Sequence, residues 1–304
     1  MRTRRIITDT IIYIVLIALC IIWLLPIVWI ILQSLGQYDG AAVTGMGQFW
    51  PAPDKWTFDN YLNLFNNRVF DSTTRKWLTY GDLGANNPVN FGLTFGKTLV
   101  VAIFVCIFST LLTLFTSYAF SRCRFKSRQL MMKFILVIGM FPGFISLIVF
   151  YQLADLVGLK ENLIALIIIY SGGAGMGYYV SKGFFDTISK SIDEAAMVDG
   201  ANQLQIFYKI IIPLSKPIVV YTALLAFMGP WGDYMTASYL YTLHPYDSTI
   251  ATVLNKMIGN VQTKNTYWTQ FCAASVVIAI PITLLFMFLQ KYYVSGVTGG
   301  AVKG

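Results

Sequence analysis

The sequence is poor in charge and nearly empty of histidine. Charged residues make up 12% of its 304 positions, about half the ~25% usual in soluble domains. The one histidine is His244, which excludes a multi-histidine metal centre or a histidine relay within this chain. Four cysteines, Cys20, Cys106, Cys123 and Cys272, form no C-x-x-C pair, and three of them sit inside apolar runs. That pattern speaks against a disulfide framework or a zinc site and for small apolar fillers. Fully 56% of the residues are hydrophobic. No soluble core absorbs that proportion, so the solvent for most of this chain is a lipid bilayer.

The apolar residues come in blocks. Thr10 to Leu32 is a run of 23 residues without a charge. A signal-peptide core is about 7–15 residues long, whereas a membrane span needs about 20, so this run reads as a retained first helix. Further spans are expected near Lys97–Phe120, Phe134–Leu153, Leu163–Val180, Ile218–Tyr239 and Thr269–Leu289. The fold class is therefore an all-α membrane protein with six transmembrane helices. Six spans put both termini on one side. With that side cytoplasmic, 14 of the 22 Lys and Arg residues fall inside, as the positive-inside rule asks. The net charge of +8 then describes orientation in a cell (inner) membrane and implies no nucleic-acid partner. Four segments result: 1–33 with the first span, an extracytoplasmic loop subdomain over 34–96, a five-span core over 97–290, and a cytoplasmic tail over 291–304.

One cytoplasmic stretch, 189–217, is unlike the rest. It holds SIDEAAMVDGANQLQIFYKIIIPLSKP between two apolar blocks. Ser191 with Glu194 has capping-box spacing, so a short helix is expected from about Ile192. Gly200 after Asp199 supplies the left-handed position that ends it. Asn202 with Gln205 offers a second cap, and the next helix is expected to run to Pro213. An interfacial amphipathic helix is the plain alternative, but such helices are rich in Lys and Arg. This one carries Asp193, Glu194 and Asp199.

Glu194-Ala195-Ala196, Gly200 and Ile210-Ile211-Ile212-Pro213 at this spacing resemble the EAA loop of ABC-importer permeases, with Ile212 where Leu is usual. The tail, Gly296 to Gly304, resembles that of the G-type permease subunit of maltose/maltodextrin importers. The resemblance implies the type I ABC-importer permease fold and a sugar-uptake role without covalent chemistry. ATPase coupling is carried over to Glu194, Ala195, Ala196, Asp199, Gly200 and Pro213. Tail contact with the ATPase is carried over to Gly299, Gly300, Lys303 and Gly304, a segment that in isolation reads as disorder. The implied partners are a second homologous permease subunit, a cytoplasmic ABC ATPase dimer and an extracytoplasmic sugar-binding protein. ATP and Mg belong to that ATPase. This chain itself is expected to have no catalytic residue, metal or cofactor. Its one near-match to a phosphate loop, Gly92 to Thr98, has three residues between glycines where four are needed.

The substrate path is less sharply marked. A sugar has apolar faces and hydroxyl edges, so aromatic and polar side chains are candidates: Tyr151, Gln152, Tyr170 and Trp231. Gly173 belongs to a glycine cluster, Gly172 to Gly177, which means either close helix packing or a broken helix beside a cavity. Asp233 is either a functional intramembrane acid or a residue near the outer interface. The loop Tyr241–Tyr267 corresponds by position to one that reaches the binding protein. The expected cargo is an oligosaccharide of maltodextrin type, with a galactoside or raffinose-type sugar as the alternative. An ion-coupled secondary transporter is more distant, because it calls for paired broken helices in two related halves.

Overall fold

The computed structural model describes residues 2–36, 56–71, 76–79, 90–140, 143–173, 177–242, 249–259 and 261–301. Nearly all of it is helical. In hydrocarbon every backbone N–H and C=O must be satisfied within its own segment, and a helix does this. The chain divides into two compact units, Met1–Gly92 with Leu254–Ala279, and Leu93–Val253 with Ile280–Gly304.

In the first unit α1 (Arg2–Ser34) is followed by a short α2 (Asp59–Phe65) and an antiparallel pair, β1 (Arg68–Asp71) and β2 (Lys76–Thr79). Asn60 stitches this unit together. Its amide donates to Ser34 O and Gly36 O at 2.9 Å each, and its carbonyl accepts from Thr269 Oγ1 at 3.1 Å. One buried side chain thus satisfies the end of α1 and binds it to the segment around Thr269.

The second unit holds α3 (Phe91–Arg122), α4 (Arg128–Gly139), α5 (Gly143–Leu156), α6 (Leu163–Gly172) and α7 (Gly177–Asp186). It continues through α8 (Lys190–Val198), α9 (Gln203–Ile206), a π-helical turn Phe207–Ile211, α10 (Ile212–Leu214), α11 (Lys216–Gly232) and α12 (Tyr234–Leu240). The last helices are α13 (Ile250–Ile258) and α14 (Val261–Ala301). Val101 and Val105 of α3 pack with Leu166 of α6 and Leu240 of α12 in one buried cluster. A second cluster joins Leu114 and Tyr118 of α3 to Phe185, Ala196, Ile206 and Ile218. The cores of this unit are thus organised along α3.

Three helices among the described residues are long and apolar enough to cross a membrane: Ile6–Ser34, Phe91–Arg122 and Tyr267–Tyr292. Two bent pairs raise the number to five if each counts as one span: α6 with α7, at 44°, and the stretch from Gln203 to Leu214 with α11, at 87°. The remaining expected span, 134–153, falls on α4 and α5, which residues 141–142 separate and which are each shorter than a span needs. Those two residues, including Pro142, lie outside the described ones. The protein is a membrane-embedded, largely helical chain. Residues Gly92–Thr98 form the opening turns of α3, a helix instead of a phosphate-cradling loop.

Candidate functional site

The stretch 189–217 folds as capped helices, with one change from the sequence reading. Ser189, not Ser191, caps α8: its Oγ accepts from Ser191 N at 3.3 Å. Glu194 is therefore free of a capping-box role and its side chain is exposed. At the other end Gly200 has φ +82°. Ala201 N donates to Ala196 O at 2.9 Å and Gly200 N to Met197 O at 3.1 Å, the paired bonds of a Schellman motif. The capping box of Asn202 with Gln205 is complete, with both bonds at 2.9 Å.

The following helix does not stop at Pro213. Proline lacks the N–H that an α-helix needs at that point, and the turn before it is π-helical, with Ile212 N bonded to Phe207 O. The chain bends at Ser215, where α11 begins. Along this stretch Glu194, Ala195, Asp199, Gly200 and Pro213 are exposed, and Ala196 is buried in the core beneath. Val198 is 88% exposed, with Leu204 and Tyr208 also open. Acidic and apolar groups therefore share one uncovered face.

Three side chains at the end of α3 fasten this stretch. The Tyr118 hydroxyl donates to Gln203 Oε1 at 2.8 Å. Ser121 Oγ donates to Asp186 Oδ1 at 2.6 Å, and Lys182 pairs with the other oxygen of that carboxylate. Arg122 Nε meets Asp193 Oδ2 at 2.7 Å, and its Nη2 donates to Ile188 O at 2.9 Å. The two side chains of the ion pair are only 4% and 10% exposed. Burial pushes the Asp193 carboxyl above the ordinary carboxylate range, and the Arg122 guanidinium pulls against that rise. Spacing of three and four residues puts Tyr118, Ser121 and Arg122 on one face of a helix. A movement of α8 is thereby transmitted to α3.

Farther along α3 lies a cavity of about 230 Å³. Ser109 and Thr113 of α3 form one wall, Tyr170, Gly173 and Gly177 of the α6–α7 bend a second, and Tyr221 to Pro230 of α11 the third. Two of the expected path residues, Tyr170 and Gly173, come together here. The others do not line it. Trp231 is buried between Phe95 and Phe227, with ring centroids 5.3 and 5.9 Å away. Asp233 caps α12, accepting from Thr236 N at 3.0 Å. Tyr151 packs edge-on against Tyr239 at 5.5 Å, with Lys160 Nζ 4.5 Å above its ring. Gln152 is exposed. Of the glycine cluster, residues 174–176 lie outside the described ones. So do Lys303 and Gly304 of the tail, while Gly299 and Gly300 fall within α14.

Residues 114–299 match the family described as binding-protein-dependent transport system inner membrane component. The chain belongs to this family of ABC-importer permeases. The permease is 37% identical over 250 residues to the maltodextrin transport system permease protein MdxG of Bacillus subtilis (strain 168), covering 82% of this chain and 81% of that one. It is 31% identical over 305 residues to the galactooligosaccharides transport system permease protein GanQ of the same organism, covering 100% and 99%. A crystal structure of a bacterial ABC transporter involved in the import of the acidic polysaccharide alginate shares the fold. Its TM-score is 0.69 at 23% identity, over 96% of this chain and 98% of that one. A permease of this kind is a transport subunit, not an enzyme. Among the described residues no group of three or more His, Cys, Asp or Glu is placed to hold a metal ion.

Sequence reasoning missed the fastening residues of the permease, Tyr118, Ser121 and Arg122, and the cavity hydroxyls Ser109 and Thr113. Arg122 was counted only as a topological charge. A signal was present: Ser109, Thr113, Ser117 and Ser121 recur every four residues inside an apolar run, a polar stripe along one helix face.

Proposed function

We propose that this permease is one half of the pathway of an ATP-driven importer for neutral oligosaccharides. It crosses the inner membrane six times with both termini in the cytoplasm. A homologous permease completes the pathway, an ABC ATPase dimer binds ATP and Mg, and an external binding protein delivers the sugar. The observation that carries this reading is the stretch 189–217: an uncovered acidic and apolar face, held to α3 by a buried ion pair. On that face Glu194, Ala195, Ala196, Asp199, Gly200 and Pro213 couple to the ATPase, and the tail from Gly299 to Gly304 adds a second contact. Closure of the ATPase moves α8, α3 follows, and the helices switch the path from one side to the other. Maltodextrin is the favoured cargo because a maltodextrin permease is similar over most of the chain. Similarity to a galactooligosaccharide permease over the whole length supports the second reading.

The test is ATPase activity of the complete complex in proteoliposomes with its binding protein, across a panel of sugars. Wild type and a Glu194→Ala/Gly200→Val variant run side by side. A side chain at Gly200 would meet open space, but the backbone there is left-handed. Valine therefore strains the turn by about 1–2 kcal/mol and roughens the docking face. Stimulation by maltodextrins that the variant loses is the expected result. Stimulation by galactosides alone changes the cargo, and the absence of an associated ATPase overturns the importer reading.

A further inference from the structure

The cavity beside α3 has a chemistry of its own. Its wall mixes hydroxyl groups, from Ser109, Thr113, Tyr170 and Tyr221, with apolar surface from residues such as Leu225 and Pro230. None of its lining residues is charged. Thr113 is 3% exposed, and its Oγ1 is buried without a hydrogen-bond partner among the described residues. A buried hydroxyl left unpaired is costly, and this one borders a space large enough to hold a group that would pair with it. The glycines that open the space have no packing reason to be small: a Cβ at Gly173 or Gly229 would meet nothing within 4 Å.

We infer that this cavity is a subsite for one ring of a neutral sugar, held by this permease subunit itself. Size sets the first limit. Sites that bury a drug-sized ligand run to roughly 300–1,000 Å³, so about 230 Å³ takes a ring and not a chain. Chemistry sets the second. Apolar and aromatic surface covers the C–H faces of a sugar ring, and hydroxyls pair with its edge, Thr113 Oγ1 gaining the partner it lacks. Charge sets the third. A uronate carboxylate would be buried there without a cation, an expensive arrangement. Behind the Tyr170 hydroxyl stands the Asp233 carboxylate, which repels an anion further. The subsite therefore selects neutral sugars over acidic ones. This rests on the sugar-import reading above and assigns part of the recognition to this chain.

The test uses the assembled complex of both permeases and the ATPase. Equilibrium binding of radiolabelled maltotriose, a galactotrisaccharide and a triuronate is measured in detergent, without binding protein. Uptake of each is measured in proteoliposomes with it. Thr113→Val keeps the shape and removes the unpaired hydroxyl, and Gly229→Leu fills the space in a helical position that favours leucine over glycine. For a neutral trisaccharide that wild type imports, Thr113→Val raises Kd roughly three- to tenfold with unchanged thermal stability, and Thr113→Ser restores it. Gly229→Leu raises Kd at least about tenfold, and its complex assembles normally. Wild-type Kd in both valine and leucine variants overturns the subsite. Loss of the second permease from the Gly229→Leu complex also overturns it, since the space then belongs to a partner helix. So does a triuronate bound as tightly as the neutral sugars, or uptake without any binding by the solubilised complex. If wild type imports no neutral trisaccharide at all, it is the sugar-import reading that fails.

Discussion

Helices α1 and α3 look alike in composition and behave differently. They have 33 and 32 residues, and both are apolar enough to cross a bilayer. None of the most apolar window of α1 is buried, against 44% of that of α3. The difference lies in the hydroxyls. From Ile11 to Leu32 helix α1 has no serine or threonine. Helix α3 buries Thr94, Thr98, Ser109, Thr113, Ser117 and Ser121. Lipid is as apolar as leucine, so an apolar face gains nothing by leaving lipid for another helix. Small polar residues do gain, because they bring backbones close and find partners. Ser117 Oγ reaches Tyr178 O at 3.0 Å, tying α3 to α7. Hydropathy thus says that both helices cross, and only the polar stripe says which one the bundle is built on.

The sharpest way to break this contrast is at Arg122. Removing one partner of a buried pair costs about 3–5 kcal/mol, because the other charge is left behind. Arg122→Ala strands Asp193 and takes a donor from Ile188 O. Thermal unfolding of the purified complex should shift down accordingly, and ATPase should be lost on purification. The double variant Arg122→Leu/Asp193→Leu should cost much less than the two single changes added together. A fully stable Arg122→Ala would mean that α3 does not hold the coupling stretch.

A smaller effect is expected at Ser117. Ser117→Ala leaves the Tyr178 carbonyl without its α3 donor, which costs about 1 kcal/mol in a membrane bundle. The measurement is again the unfolding temperature, now paired with accessibility of Cys123 to a thiol reagent. A change in stability without any change at Cys123 would confine the effect to the α3–α7 contact.

Local features of the site were legible in the sequence, and long-range ones were not. The Asn202–Gln205 box and the left-handed Gly200 depend on three or four neighbours, so spacing alone reveals them. The cap of α8 did not follow the same rule. Ser189 and Ser191 both suit a cap, and the choice follows from where Arg122 holds Ile188, a residue far off in sequence. Pro213 suggested a helix end, yet a π-turn absorbs the missing donor and moves the bend to Ser215. Tyr170 and Gly173 were found because a glycine cluster marks a broken helix. Trp231 and Asp233 were irregular for structural reasons: one fills a core between phenylalanines, and the other starts α12.

The smallest effect should come from α1, and it sharpens the comparison most. Ile17 is 58% exposed in the middle of that helix. If lipid covers it, Ile17→Val removes a methylene that lipid replaces at once, and the change stays within about 0.5 kcal/mol. The unfolding temperature of the complex should not move, and uptake should equal wild type. A loss as large as that of Ser117→Ala would mean that protein, not lipid, packs on this face. The second permease subunit would then be the covering surface, and α1 would belong to the interface of the pair despite having no polar stripe to announce it.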